Sequence, residues 1–77
     1  MPRQKTADVV AEMVANVMKV AVSPGDRVDV GDAVVLLESM KMEIPVLSES
    51  AGTVSSVNVA AGDVVQEGDP LVTLDPA

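Results

Sequence analysis

The sequence contains no cysteine, no histidine and no aromatic residue in its 77 residues. Without cysteine it has no disulfide framework and no thiolate metal site. Without histidine it lacks the commonest general base and metal ligand. An enzyme of this composition would depend on Asp, Glu, Lys and Ser alone. We therefore predict a chain with no catalytic residues and no metal site.

Basic residues are also scarce, with five Lys and Arg against twelve Asp and Glu, for a net charge of −7. Neutralising phosphates requires clustered Lys and Arg, so we expect no nucleic-acid partner. No apolar stretch is long enough for a transmembrane helix, so we expect no membrane partner. No apolar signal segment follows the basic residues near the N-terminus. We expect a cytoplasmic protein that is a monomer when alone.

Valine dominates what is present, with seventeen copies. Its β-branched side chain is stiff at χ1 and fits strands better than helices. A chain of this length forms one small domain. The composition therefore predicts a single all-β domain.

An internal repeat covers most of the chain at an offset of 37 residues. Residues 15–38 align without a gap on residues 52–75, and ten pairs are identical. Each half predicts a strand, a turn, a short strand, a second turn and a closing strand, the last at Val34–Leu37 and Leu71–Leu74. Two similar halves predict two similar sheets related by a pseudo-two-fold axis.

The repeat also explains the Gly-Asp turns, which begin at Gly25, Gly31, Gly62 and Gly68. We expect these glycines to have positive φ and each following aspartate to bond back to its turn. Because the aspartates occur in both halves, they indicate architecture and not an active site. Residues 1–7 lie outside the repeat, and we predict a disordered tail there and a domain over residues 8–77.

The segment joining the halves contains the run Glu38-Ser39-Met40-Lys41-Met42-Glu43. An alternating strand pattern begins at Met42, so we expect Lys41 in the turn of a hairpin. Pro45 cannot donate to a ladder, which predicts an edge strand after the turn. Two methionines beside a lysine place apolar surface next to an ammonium group. Such a surface indicates contact with another molecule.

This run, the Gly-Asp turns and Ala51-Gly52-Thr53-Val54 closely resemble the biotinyl/lipoyl attachment domains, over roughly residues 9–75. The resemblance implies a flattened β-barrel or sandwich of two four-stranded antiparallel sheets. It implies that a biotin protein ligase attaches biotin to Lys41, with Met40 and Met42 as recognition residues and Glu38, Ser39 and Glu43 as the flanking motif. The family often has alanine at the position of Ser39, and both residues are small.

By the same resemblance, the chain is a biotin carboxyl carrier and not an enzyme. The attached biotin would take a carboxyl group from a biotin carboxylase and deliver it to a carboxyltransferase acting on an acyl-CoA or a keto acid. Val22–Val28 and Val59–Val65 have equal length, so the chain resembles the carriers without the projecting thumb loop. Activating the amine requires removal of its proton, which the ligase must achieve because nothing in the run supplies it.

Two alternatives stay open on the sequence alone. Lipoyl domains share the fold but typically have Asp-Lys-Ala at the turn, where this chain has Met-Lys-Met. The other alternative is a biotinyl-like interaction or regulatory protein that serves no carboxylase. The 77 residues contain no carboxylase or transferase domain, which is compatible with that reading.

Overall fold

The computed structural model describes residues 6–76, which form eight β-strands and no helix. The strands are β1 (Ala7–Val10), β2 (Ala15–Val20), β3 (Arg27–Val28), β4 (Ala33–Ser39), β5 (Met42–Leu47), β6 (Gly52–Val57), β7 (Val64–Val65) and β8 (Pro70–Pro76). Within these residues, no helix is long and apolar enough to cross a membrane. The all-β prediction is confirmed.

The strands form two four-stranded sheets in which every pairing is antiparallel. The first sheet has the order β1-β8-β6-β3 and the second the order β5-β4-β2-β7. Each sheet therefore takes two strands from each half of the chain. The side chains between the sheets form one apolar core, made of Val9, Ala11, Ala15, Val17, Val28, Val34, Val35, Leu37, Val54, Val65, Leu71, Val72 and Leu74.

The repeat is longer in the structure than the sequence alignment predicts, because β1 corresponds to β5. Ala7 pairs with Leu74 in the first sheet, and Ile44 pairs with Leu37 at the equivalent place in the second. The two halves are thus residues 7–39 and 44–76. The short strands are exchanged between halves, since β3 pairs with β6 and β7 pairs with β2. Because of this exchange, neither half forms a four-stranded sheet by itself.

The predicted tail boundary is wrong at Ala7, which is already in β1 and partly buried. The strand forms because β8 offers an open edge, against which Ala7 and Val9 pair. Four residues are too few to show a clear alternating pattern, so no strand is predicted there from periodicity. Thr6 is exposed and belongs to no strand, and residues 1–5 of the expected tail lie outside the described residues.

The predicted Gly-Asp turns are confirmed. Gly25 and its equivalent Gly62 have φ of 96° and 98°, and Gly31 and Gly68 have 94° and 91°. In each turn the aspartate side chain accepts a hydrogen bond from the backbone N–H three residues earlier, at 2.8–2.9 Å. The four aspartates therefore hold turns, as the repeat predicts. The connections over residues 21–26 and 58–63 are equal in length, which leaves no projecting loop in the first half.

Gly52 has a different role, because its φ is not in the left-handed region. A Cβ atom built on it would fall against the carbonyl oxygen of Asp75 on the neighbouring strand. The glycine of the Ala51-Gly52-Thr53-Val54 motif thus allows β6 and β8 to approach closely. Its repeat equivalent, Ala15, carries a Cβ atom at the matching place.

Candidate functional site

The hairpin between β4 and β5 carries the predicted lysine at its tip. Ser39 pairs with Met42, so only Met40 and Lys41 form the turn. Both have positive φ, at 53° and 66°, as a tight type I′ hairpin turn requires. Such turns favour Asn-Gly because a side chain at positive φ is strained. Among residues 6–76, these are the two non-glycine residues with positive φ.

The side chains around the lysine project into solvent. Met40 is 90% exposed and Met42 is 64% exposed. Lys41 itself is exposed. For comparison, Met13 and Met18 are 38% and 39% exposed, so Met40 in the turn and Met42 directly after it are the two most exposed methionines of the described chain. The turn therefore presents a cation between two large apolar side chains that support no core packing.

The flanking residues divide between the two sides of the hairpin. Leu37 and Ile44 pair on the core side. The next pair, Glu38 with Glu43, therefore lies on the outer side, since side chains alternate along a strand. Two carboxylates directly opposite each other repel and weaken the pairing. Ser39 is half-buried at the base of the turn.

Lys19 offers a different environment from Lys41. It lies in β2, which has β4 on one side and β7 on the other, and it pairs with Leu36. Its side chain is exposed, but it stands on the face of a sheet and not on a protruding tip. Lys5 falls outside the described residues.

The main groove of the described residues lies away from the lysine. An open groove of about 600 Å³ runs between the edge strands β1 and β5, lined by apolar side chains such as Val9, Ile44 and Val46. Met40, Lys41 and Met42 are not among its lining residues. Over the described part of the chain, no group of three Asp or Glu side chains could hold a metal ion. The site presents an exposed amine at the tip of a hairpin.

Sequence reasoning located the hairpin correctly, and Pro45 lies in the edge strand β5 as predicted. It did not predict the positive φ angles of Met40 and Lys41. It also did not predict that Glu38 and Glu43 lie directly opposite each other on paired strands. Both follow from a turn of only two residues. The start of the alternating pattern at Met42 was the signal that could have found them, because it leaves no room for a longer loop.

Comparison with known proteins identifies the family. The family model Biotin_lipoyl, described as "Biotin-requiring enzyme", matches residues 5–74. Among curated proteins, "Biotinylated protein TB7.3" of Mycobacterium tuberculosis is 68% identical over 41 residues, which are 53% of this chain. The match spans 58% of the length of that relative.

Solved structures share the fold. A single-chain, multi-domain long-chain acyl-CoA carboxylase matches with a TM-score of 0.88 and 28% identity, covering 100% of this chain and 8% of that one. The lipoyl domain of the 2-oxoglutarate dehydrogenase complex of Azotobacter vinelandii matches with a TM-score of 0.66 and 25% identity. The match covers 95% of each chain. The chain belongs to the biotin-requiring family matched over residues 5–74: it is a biotin carrier domain, similar to those of carboxylases, and its cofactor is covalent biotin.

Proposed function

We propose that Lys41 is the residue to which a biotin protein ligase attaches biotin, and that the loaded domain carries a carboxyl group between a biotin carboxylase and a carboxyltransferase. The observation that carries this proposal is the two-residue turn, which places an exposed lysine between methionines that are 90% and 64% exposed. When attached, biotin supplies a ureido nitrogen that accepts and releases a carboxyl group.

The described residues fit such a cofactor. An amide link needs a primary amine that another enzyme can surround, and the Lys41 turn protrudes from the end of a hairpin. Lys19 stands on a sheet face beside Leu36 of the paired strand β4, and not on a protruding tip. Of these two lysines, Lys41 is the better substrate by geometry.

The ligase and the domain divide the work of attachment. Nucleophilic attack requires a neutral amine, and neither Glu38 nor Glu43 supplies the cation or the desolvation that promotes loss of the proton. The ligase active site must supply it. Met40 and Met42 contribute apolar surface that the ligase can bury, at up to about 1.5–3 kcal/mol for a fully buried side chain.

After attachment, the domain acts by tethering and contributes no chemistry of its own. A flexible arm on a fixed turn raises the concentration of the carried group at both partner active sites. The sheets keep the turn in one place, since β4 is paired on both sides and Leu37 is 1% exposed in the core. We therefore propose a non-catalytic carrier.

The proposed partners are the subunits of a biotin-dependent carboxylase. Support comes from the acyl-CoA carboxylase above, in which a matching domain forms 8% of the chain beside the other domains. Purification of the tagged chain from its own cells tests this: carboxylase and carboxyltransferase subunits should accompany the wild type. Their absence beside a fully biotinylated chain would favour the alternative, an interaction or regulatory protein that serves no carboxylase.

The attachment site is tested by Lys41→Arg, with Lys19→Arg as the matched control. Each variant is co-expressed with a biotin ligase and blotted with streptavidin. Arginine cannot form the amide here. Because it keeps the positive charge and both lysines are exposed, both variants should fold. We expect complete loss of signal for Lys41→Arg and an unchanged signal for Lys19→Arg. Streptavidin signal remaining on Lys41→Arg would overturn the assignment.

A further inference from the structure

The side chains that a mild oxidant can attack are unusually restricted in this protein. The sequence has no cysteine, tryptophan, tyrosine or histidine, and it has five methionines. The thioether sulfurs are therefore the groups of this chain open to two-electron oxidation. Any effect of peroxide on the protein must start at a methionine.

The structure separates these methionines by access. Met40 is 90% exposed and Met42 is 64% exposed, whereas Met13 and Met18 are only 38% and 39% exposed. Met1 lies outside the described residues. Since oxidation follows exposure of the sulfur, Met40 and Met42 should react first. These are the residues on either side of Lys41.

From this arrangement, and resting on the proposed function of Lys41, we propose that Met40 and Met42 are an oxidation site that controls whether the lysine can be biotinylated. The oxidant is hydrogen peroxide. The sulfur lone pair attacks one peroxide oxygen and the O–O bond breaks. The proton on the attacked oxygen passes to the departing oxygen, which leaves as water, and the sulfoxide S=O bond is formed. The sulfur is oxidised by two electrons and the peroxide is reduced.

The physical effect falls on recognition and not on the fold. Sulfoxide formation converts a flexible apolar side chain into a polar, chiral one. Neither side chain belongs to the core, so the oxidised domain stays folded. The ligase would instead meet a polar group where it must bury apolar surface. Methionine sulfoxide reductases, one for each sulfoxide epimer, would reverse the change.

The test uses the full chain without biotin, treated with peroxide, then with catalase, before ligase, biotin and ATP are added. Peptide mass spectrometry locates the sulfoxides, and the biotinylation rate and melting temperature are measured. We expect kcat/KM for biotinylation to fall by about tenfold or more, the factor that matches losing the burial of one methionine. Melting should stay unchanged, and sulfoxide reductases should restore the rate.

Two double variants separate the sites. In the Met13→Leu/Met18→Leu variant, oxidation should lower the biotinylation rate as much as it does in the wild type. Met40→Leu with Met42→Leu, compared with its own untreated rate, should lose none. An unchanged rate with Met40 and Met42 fully oxidised would overturn the inference, as would an equal loss in the Met40→Leu/Met42→Leu variant. If the untreated chain is not biotinylated at all, the proposed function fails, and this inference fails with it.

Discussion

Residues 7–39 and 44–76 form the same arrangement of strands, and they differ most where the first half ends. After Ser39 the chain turns through Met40 and Lys41 into β5. The equivalent of Ser39 is Pro76, the last residue of β8. What the halves share, such as the Gly-Asp turns, supports the fold. What only one half has, the Met-Lys turn, is where we place the function.

The outer faces of the two sheets show a second difference. On the first sheet, Asp8, Thr73, Asn58 and Ser56 form a chain of side-chain hydrogen bonds at 3.0–3.3 Å. The equivalents on the second sheet are Pro45, Leu36, Ala21 and Lys19. These side chains cannot reproduce that network. At these four positions the sheet that carries the hairpin is therefore less polar than the first sheet.

The largest expected effect comes from changing only the part that is not repeated. Met40→Asp with Met42→Ala gives the turn the residues typical of lipoyl domains. We expect the biotinylation rate to fall by about tenfold or more, because the apolar surface beside Lys41 is lost. Both side chains are largely exposed, so their removal should lower the free energy of unfolding by no more than about 0.5 kcal/mol. Ligase assays and urea unfolding measure the two quantities.

Met13→Ala with Met18→Ala is the control, since it also removes two exposed methionine side chains but away from the turn. It should keep the wild-type biotinylation rate. A fall of many degrees in the melting temperature of the turn variant would mean that Met40 and Met42 stabilise the fold, contrary to the comparison.

The next largest effect is expected in the Gly-Asp turns, which occur in both halves. Gly25→Val and Gly62→Val each put a β-branched residue at φ near 97°, while nothing lies within 4 Å of the added Cβ. The cost is therefore conformational, at about 1–2 kcal/mol or more for each variant. The two losses should agree within about 0.5 kcal/mol, since the turns are equivalent. Chemical denaturation of each single variant measures them.

Folded molecules of both glycine variants should still be biotinylated at the wild-type rate, because the turns are scaffold. If one glycine accepts valine freely and the other does not, the two turns are not equivalent. If the ligase does not biotinylate a stably folded glycine variant, the Gly-Asp turns contribute to recognition by the ligase.

The smallest expected effect concerns strain at the turn. Asparagine tolerates positive φ better than methionine, so Met40→Asn should stabilise the domain by about 0.5–1 kcal/mol. The same variant should be biotinylated more slowly, since it lacks the apolar side chain. A melting curve and a ligase assay on one sample test both. Lower stability together with unchanged biotinylation would refute the view that strain is accepted here for recognition.

Much of the fold was predictable because it depends on local patterns. The alternating residues from Met42, the Gly-Asp turns and Pro45 each determine a local structure, and the structure confirms them. Strand β1 was missed because Ala7–Val10 has no clear period, although the equivalence of Val9 with Val46 at the same offset was present in the sequence. The hairpin was predictable for the same local reasons.

The exchange of short strands between the halves was not predictable. Strands β3 and β7 have two residues each, too few for any periodic signal, and their partners lie in the other half of the chain. The backbone angles at Met40 and Lys41 were also hidden, because residue preferences alone predict Asn-Gly at such a turn. Strain of this kind is more common at functional sites, where local preference and fold disagree.

Peptide mass spectrometry of the chain purified from its own cells tests the central claim most directly. We expect one biotin group, attached to the peptide that contains Lys41, with the peptides containing Lys5 and Lys19 unmodified. Biotin on Lys5 or Lys19, a lipoyl group on Lys41, or an unmodified chain in cells with an active biotin ligase would contradict the account.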